Sequence, residues 1–198
     1  MTGPAVVAIP IRSFDDAKTR LSGVLSASDR RRLAEAMAER VVRAAHGLPV
    51  FIVSDDAKVA TWAEGLGVEI VAPGVTGLNA SVTAAVGRLS NGLPPDGRII
   101  IAHADLPRAV DLRVVTGAGM AIAPDTARDG SNVLSLPAGT DFTFCYGPGS
   151  FDAHCREATA RGLDISVIDD ESLALDIDDP ADLTLLADAD ESDVRRRS

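Results

Sequence analysis

The chain has 198 residues, of which 46% are hydrophobic and 4% aromatic, and its 29 acidic against 19 basic side chains leave a formal net charge of -10. That length suits one compact domain with a sizeable core, and the acidic balance argues against a nucleic-acid-binding surface. No apolar run approaches the roughly 20 residues that span a bilayer, and the first residues lack the pattern of a signal peptide, so we expect a cytoplasmic protein without a membrane partner. Cys145 and Cys155 form no paired-cysteine motif, which predicts free thiols rather than a disulfide framework or a zinc site.

A basic loop follows the first predicted strand. The apolar run from Ala5 to Ile11 predicts a buried strand, and the polar segment behind it carries Arg12, Lys18 and Arg20. Their spacing allows three cations to turn toward one pocket if the loop folds over the end of the strand. A solvated connector with scattered charges explains these residues equally well. Neither a GxGxxG nor a GxxxxGKS pattern is present, which excludes a dinucleotide fingerprint and a P-loop.

Helices and short strands alternate up to residue 90. Ser28 is predicted to cap a helix that runs to about His46. The elements predicted after it are a strand at Val50 to Val53, a helix at Ala57 to Leu66, a strand at Val68 to Val71 and a helix from about Ala80 to Leu89. Gly77 and Asn79 precede the last helix, where a glycine permits close backbone approach and an amide can bind a base or a ribose. Plain helix capping by Asn79 is the better interpretation from sequence alone.

The stretch RIIIAHADLP organises the chain. Ile99 to Ala102 predict a strand buried on both faces, and Asp105 lies where this strand ends. Ligands of open α/β sheets gather outside the carboxyl ends of the strands, so Asp105 is a candidate metal ligand. Taken alone, a turn-capping role for Asp105 is the simpler interpretation.

Two later segments contain anion-binding candidates. A short helical stretch, Asp111 to Ala118, and a strand at about Met120 to Ala123 precede Gly130-Ser131-Asn132, which can point N–H groups at an anion or form an ordinary turn. Ser150 follows the glycine loop at Gly147 and is predicted to cap a helix that runs to about Arg161. A glycine loop that leads into a helix N-terminus can bind a phosphate or a carboxylate. His154 and Cys155 are interpreted as packing residues of that helix.

The final candidate site is LDIDDP. Asp176 and Asp178 are two residues apart, so in an extended segment both carboxylates point to one face and Ile177 to the other. Asp179 is predicted to cap a helix that starts at Pro180. Because two carboxylates on one face repel each other without a cation between them, we predict a magnesium site rather than an acidic surface edge.

These elements predict an α/β fold with a single Rossmann-like domain, built on a mixed, mainly parallel sheet flanked by helices. The predicted domain covers residues 1–188, and residues 189–198 form a charged tail that we expect to be flexible.

Six motifs occur in the order seen in a known enzyme family. They are AIPIRSFDDAKTRLSG, GLNASV, ADLP, PDTARDGSNVL, FCYGPGSFDAH and LDIDDPADL. Together they resemble the guanylyltransferases of deazaflavin coenzyme F-420 biosynthesis, which act on phosphoenolpyruvate or 2-phospho-L-lactate. The resemblance runs from about Val6 to Leu183. More distantly, the chain resembles other single-domain nucleotidyltransferases with the same sheet, such as the enzyme that attaches GMP to molybdopterin, which implies a single Rossmann-like nucleotidyltransferase domain.

The resemblance implies catalytic groups at matching positions. Divalent ions that bridge the nucleotide and its acceptor would be held by Asp105 of ADLP with Asp176 and Asp178 of LDID. The triphosphate would be faced by Lys18 and Arg20 of AKTRL. This implies GTP as co-substrate and Mg²⁺ as the cofactor.

It also implies contacts to both substrates. The guanosine would lie along Gly77 and Asn79 of GLN. The phosphate and carboxylate of the three-carbon acid would be received by Ser131, Asn132, Gly147 and Ser150. Two positions depart from the family pattern: Arg12 stands where lysine is usual, and Ser131 stands where threonine is usual. Serine keeps the hydroxyl, whereas arginine replaces a point charge by a planar fork.

The expected reaction is GMP transfer from GTP to phosphoenolpyruvate, which gives enolpyruvoyl-2-diphospho-5'-guanosine and pyrophosphate. Transfer to 2-phospho-L-lactate or 3-phosphoglycerate is the alternative within the same chemistry, because these acids differ by few atoms. The Ala, Arg, Asp and Gly bias is typical of a high-GC bacterial source, which favours phosphoenolpyruvate. A nucleotide-binding regulator of the same fold is the alternative from another class; the intact Asp105, Asp176 and Asp178 argue against it.

Overall fold

A computed structural model describes residues 3–186 of the protein. Its strands are β1 (Ala5–Pro10), β2 (Val50–Val53), β3 (Glu69–Val71), β4 (Arg98–Ala102), β5 (Met120–Pro124), β6 (Ser131–Pro137) and β7 (Ile165–Val167). They form a seven-stranded sheet in the order β3-β2-β1-β4-β6-β5-β7. The predicted tail at 189–198 lies outside the described residues.

The sheet is mixed and mainly parallel, as predicted. β1, β2, β3 and β4 pair in parallel, while β6 runs antiparallel to both of its neighbours, β4 and β5. Since β7 is parallel to β5, β6 alone among the described strands points the opposite way. Its first residues therefore lie at the edge where the other strands have their carboxyl ends.

Helices cover both faces of the sheet. They are α1 (Ala27–Ala44), α2 (Ala57–Gly65), α3 (Leu78–Ser90), α4 (Ser150–Ala160) and α5 (Glu171–Ala174), with 3-10 turns at Thr19–Gly23 and Leu112–Val115. Residues 180–186 are helical up to the end of the described segment. The apolar faces of α1 and α2 join the core cluster on one side of the sheet, and those of α3 and α4 join the cluster on the other. This three-layer packing explains why β4 is apolar at every position from Ile99 to Ala102.

Two predicted helix boundaries were wrong. Ser26, not Ser28, caps α1, because the Ser26 hydroxyl accepts the Asp29 N–H at 3.2 Å, three residues into the helix. The helical stretch predicted over Asp111 to Ala118 is a single 3-10 turn, in which Leu112 and Val115 are both fully buried. Three-residue spacing is the repeat of a 3-10 turn, so burying these two side chains requires no longer helix.

Two smaller expectations concern the thiols and membranes. Cys145 and Cys155 are both free, as predicted. Within the described residues, none of the helices combines the length and apolar character that a membrane crossing requires.

Candidate active site

The carboxyl ends of β1 and β4 open into a cleft of about 620 Å³. β6 contributes its first residues to the same cleft because Ala102, the last residue of β4, pairs with Val133. Most of the predicted site residues line it: Arg12, Lys18, Arg20, Asp105, Ser131, Asn132, Gly147, Ser150, Asp176 and Asp178. The fold thus brings together residues from both ends of the chain.

Lys18 is the centre of the charged cluster in this cleft. Its ammonium group forms ion pairs with Asp105 and, at 3.0 Å, with Asp178. Arg20 contacts the second Asp178 oxygen at 3.4 Å, but its side chain is 75% exposed. Lys18 therefore joins the end of β4 to the LDIDDP segment, whereas Arg20 remains free to turn toward a ligand.

The ion pairs determine the charge states of both partners. Burial alone would lower the pKa of Lys18, but the charges of Asp105 and Asp178 outweigh it and raise that pKa above its ordinary value. Burial would likewise raise the pKa of Asp105, but the Lys18 charge and hydrogen bond hold it below its ordinary value. Both groups are thus ionised at neutral pH.

The LDIDDP segment has the predicted alternation. Leu175 and Ile177 are buried with Leu21 and Met37 in a small apolar cluster, whereas Asp176 and Asp178 line the cleft. This cluster holds the segment against the 3-10 turn at Thr19–Gly23 and against α1. The two aspartates consequently face the loop that carries Lys18.

The surroundings of Asp176 disfavour the ionised form of its carboxyl group. Burial, followed by the negative charges of Asp105 and Asp178, raises the pKa of Asp176 to about 6. The folded protein therefore keeps this proton up to about pH 6, whereas the unfolded chain releases it near 3.8. Stability contributed by the protonated form is lost as pH rises through this range, because the folded state binds more protons than the unfolded state there.

Replacing Asp176 by Asn is expected to stabilise the protein in the absence of metal. The variant's free energy of unfolding should exceed that of the wild type by about 1 to 2 kcal/mol at about pH 7.5, with no difference near about pH 4. Urea unfolding in a chelator at both pH values measures this. The control is Asp164→Asn, at an exposed position outside the cleft. Equal stability of Asp176→Asn and wild type at the higher pH would contradict the prediction.

The carboxylates of the cleft do not form a ready-made metal site. Within residues 3–186, no group of three or more His, Cys, Asp or Glu side chains is close enough to hold a metal ion. The Lys18 ammonium, itself a cation, lies between Asp105 and Asp178. Asp105 Oδ1 is buried, and the described part of the chain supplies no hydrogen-bond partner for it. Carboxylate oxygens are ligands that Mg²⁺ prefers. The charge and the oxygen atoms of the three aspartates suit a divalent cation. Their arrangement around the Lys18 ammonium does not, because Lys18 occupies the space between Asp105 and Asp178.

Ser131 and Ser150 line the cleft and belong to a hydrogen-bonded group that sequence reasoning missed. His154, interpreted as a packing residue, is fully buried. Its Nδ1 lies 2.9 Å from Ser131 Oγ, and its Nε2 accepts the Cys145 N–H at 2.9 Å. The hydroxyl of Ser150 donates to Ser131 Oγ at 3.3 Å. A spacing of four residues from Ser150 to His154 on a helix predicts that both side chains share a face, which was the available signal.

The prediction that Ser150 caps α4 was wrong. The N-cap of α4 is Gly149, with φ 71°, and Ser150 is the first residue of the helix. The left-handed backbone at this point favours glycine, which has no Cβ to clash. Because Ser150 is not used as a cap, its hydroxyl is turned to Ser131 instead.

Asn132 is committed to the protein itself. Its amide group donates to the carbonyl oxygens of Leu173 and Ala174, each at 3.0 Å. Asn132 thereby ties the start of β6 to the turn that precedes Leu175. Its two amide hydrogens position the LDIDDP segment, although its side chain also lines the cleft.

Gly77 and Asn79 lie apart from the charged cleft. Gly77 lines an adjoining cavity of about 520 Å³ that also contacts Ser54, Val75 and Ser81. Gly77, with φ 95°, is the N-cap of α3, so helix capping by Asn79 was wrong. The Asn79 amide is instead paired with the Tyr146 backbone, to its N–H at 2.7 Å and its carbonyl at 3.2 Å.

Arg12 connects the two cavities. It lines both of them, as do Pro10, Ile11 and Leu78. Within the described residues Arg12 is exposed and forms no ion pair. It can therefore contact a ligand that extends from one cavity into the other.

Comparison with known proteins identifies the family. A profile of the family described as guanylyl transferase CofC like matches residues 5–192. The chain belongs to this family. The resemblance that the six sequence motifs carry is therefore confirmed over nearly the whole chain.

Two relatives and one solved structure illustrate this membership. The chain is 35% identical to a phosphoenolpyruvate guanylyltransferase of Rubrobacter xylanophilus, over 90% of this chain and 91% of that protein. It is 33% identical to a 2-phospho-L-lactate guanylyltransferase of Methanothermobacter thermautotrophicus, over 88% of this chain and 80% of that protein. A nucleotidyl transferase from Methanothermobacter has the same fold, with a TM-score of 0.63 at 17% identity over 94% of this chain and 97% of that one.

Proposed function

We propose that this guanylyltransferase family member transfers GMP from GTP to the phosphate of phosphoenolpyruvate. The observation that carries the proposal is the meeting of Lys18 with Asp105 and Asp178 in one cleft, which Ser131 and Ser150 also line. A cluster of carboxylates and cations suits polyphosphate chemistry, and a wall of hydroxyl groups suits an anionic acceptor. The product would be an activated diphosphate of the acid, as coenzyme F-420 biosynthesis requires.

The two adjoining cavities suit two substrates. The cavity at Gly77 has small polar groups and the exposed apolar side chains of Val75 and Leu78, which match the flat, mixed surface of a nucleoside. The larger cleft contains the charged groups. GTP then extends past Arg12, from its base in the first cavity to its phosphates in the second.

The reaction is an in-line displacement at phosphorus. A phosphate oxygen of the acid attacks the α-phosphorus of GTP, the bond from that phosphorus to the bridging oxygen breaks, and pyrophosphate leaves with the electron pair. No general base is required because a phosphate is largely ionised at neutral pH. The protein's task is to position both anions and to neutralise their charge.

Basic side chains of the loop carry out much of that task. Arg12 and Arg20 are exposed and can turn to phosphate oxygens. Lys18 is held with its ammonium in the cleft by two carboxylates, and can exchange one of them for a phosphate oxygen. These cations explain how a chain with a formal net charge of -10 can bind two anionic substrates.

We propose Mg²⁺ as the cofactor, held by Asp105, Asp176 and Asp178. When bound, the ion supplies positive charge that neutralises the reacting phosphates. Asp105 offers Oδ1, which is buried and has no hydrogen-bond partner among the described residues. Asp176 and Asp178 offer oxygens from the same face of their segment. A cation between them would oppose the burial and the negative charges that together raise the pKa of Asp176.

An acceptor panel tests the function. Purified protein with GTP and Mg²⁺ is given phosphoenolpyruvate, 2-phospho-L-lactate or 3-phosphoglycerate, and pyrophosphate release is measured. We expect the largest kcat/KM with phosphoenolpyruvate, and lower values when ATP or CTP replaces GTP. A larger kcat/KM with another acid would change the acceptor. Release with none of them, despite GTP binding, would overturn the enzymatic proposal and favour a nucleotide-binding regulator.

A further inference from the structure

We propose that His154 is a positioning residue that fixes the Ser131 hydroxyl as a hydrogen-bond donor to an anionic oxygen of the acceptor acid. The inference rests on the proposed function, because it assigns the acid to the wall of the cleft at Ser131. His154 itself lies behind Ser131 and does not line the cleft. A chain of hydrogen bonds runs from the Cys145 backbone through the His154 ring to the Ser131 hydroxyl.

The tautomer of His154 follows from its neighbour. The Cys145 backbone N–H can only donate, and it points at Nε2 from 2.9 Å, so Nε2 must present its lone pair. A neutral imidazole has one hydrogen, which must then be on Nδ1. His154 is neutral at working pH because burial lowers its pKa to about 4. Protonation of Nε2 would place two donors against each other.

The orientation of the Ser131 hydroxyl follows from that tautomer. Nδ1–H donates to Ser131 Oγ at 2.9 Å, so the Ser131 hydrogen cannot point back at His154. Ser150 donates to the same oxygen at 3.3 Å, which uses the second lone pair. Within residues 3–186 no acceptor is found for the Ser131 hydrogen. Because Ser131 lines the cleft, its hydrogen is directed to whatever binds there.

This arrangement selects a class of ligand atom. An oxygen with both lone pairs occupied can donate one hydrogen bond but accept no further one. A carboxylate or phosphate oxygen, which only accepts, matches it, whereas a group that must donate does not. His154 therefore makes the wall a donor surface for an acid.

A direct measurement reads the tautomer without any turnover. The chain has three histidines, so long-range ¹H–¹⁵N correlation spectra of the labelled full-length protein resolve each ring. His46→Asn and His103→Asn identify the remaining signals as those of His154. We expect protonated Nδ1 and unprotonated Nε2. A proton on Nε2 would overturn the proposal.

A double-mutant cycle tests the coupling to the acid. His154→Phe keeps an aromatic ring among Phe142, Phe144 and Tyr146 but removes both ring nitrogens. Ser131→Ala removes the donor itself. Each change is expected to raise KM for the acid by roughly 10- to 100-fold, the usual effect of losing a hydrogen bond to a charged group, and to leave KM for GTP unchanged.

The double variant separates positioning from a merely structural role. If His154 acts through Ser131, the double variant has the same KM for the acid as Ser131→Ala alone. Multiplied single effects, or an equal rise of KM for GTP, would overturn the proposal. If His154→Phe does not fold, the tautomer measurement on the wild type decides. Failure of the proposed function is recognised separately, because the wild type would then release no pyrophosphate with any acid.

Discussion

Replacing Asp105 by Asn is expected to lower kcat for GMP transfer by about 1000-fold or more while the protein remains folded. The change removes a charge just after β4, where the carboxylate pairs with Lys18 and its Oδ1 has no hydrogen-bond partner within residues 3–186. Asparagine has nearly the same shape, so the backbone of β4 is not disturbed. Pyrophosphate release measures kcat, and circular dichroism with thermal unfolding measures the fold.

The stability of this variant separates loss of function from loss of structure. Lys18 keeps its second partner, Asp178, at 3.0 Å, so the free energy of unfolding should fall by no more than about 3 kcal/mol. Domains usually have a free energy of unfolding of about 5 to 15 kcal/mol, so the variant should remain folded after such a loss. Asp164→Asn, which makes the same chemical change at an exposed position outside the cleft, should leave kcat unaltered. Substantial activity in Asp105→Asn would show that this carboxylate is not part of the reacting centre.

Ile177→Ala is expected to reduce both stability and activity. Ile177 is fully buried and packs with Leu21, Met37 and Leu175, so truncation should lower the free energy of unfolding by about 2 to 5 kcal/mol. The same cluster holds the aspartates on either side of Ile177 against the Lys18 loop. A loosened segment should therefore lower kcat/KM by about 10- to 100-fold even at temperatures where the variant is folded.

Ile99→Ala is the matched control for this prediction. Ile99 is equally buried, but it lies near the amino end of β4 and belongs to the core cluster that α3 and α4 join. It should lose a similar free energy of unfolding and keep the wild-type kcat/KM when folded. If the two variants lose the same fraction of activity, the cluster at Ile177 has no particular part in positioning the aspartates.

Several features could be predicted from sequence because they depend on local patterns. The run of isoleucines in β4 predicts a strand buried on both faces, and Asp105 at its end follows from that. The spacing of Asp176 and Asp178 predicts a shared face, and the burial of Ile177 confirms the alternation. Side-chain direction in an extended segment repeats every two residues, so no distant information is needed.

Other predictions failed where two local solutions compete. Ser26 and Ser28 are both acceptable caps for α1, and Gly149 competes with Ser150 at α4. Asn79 has the composition of a helix cap, yet its amide is bonded to Tyr146, which is 67 residues away. Local preferences differ by about 1 kcal/mol in such cases, so a single tertiary hydrogen bond decides between them.

The sequence by itself determined the fold class, the family and the residues of the charged cleft, because apolar periodicity and contiguous motifs are local properties. Only the tertiary structure decided which of these residues meet. Lys18 contacts Asp105 and Asp178, which are 87 and 160 residues away, because β1 and β4 pair in parallel and the cluster at Ile177 holds the last segment beside them. It also decided that His154 lies behind Ser131, since a hydrogen bond across 23 residues depends on how α4 packs against the sheet.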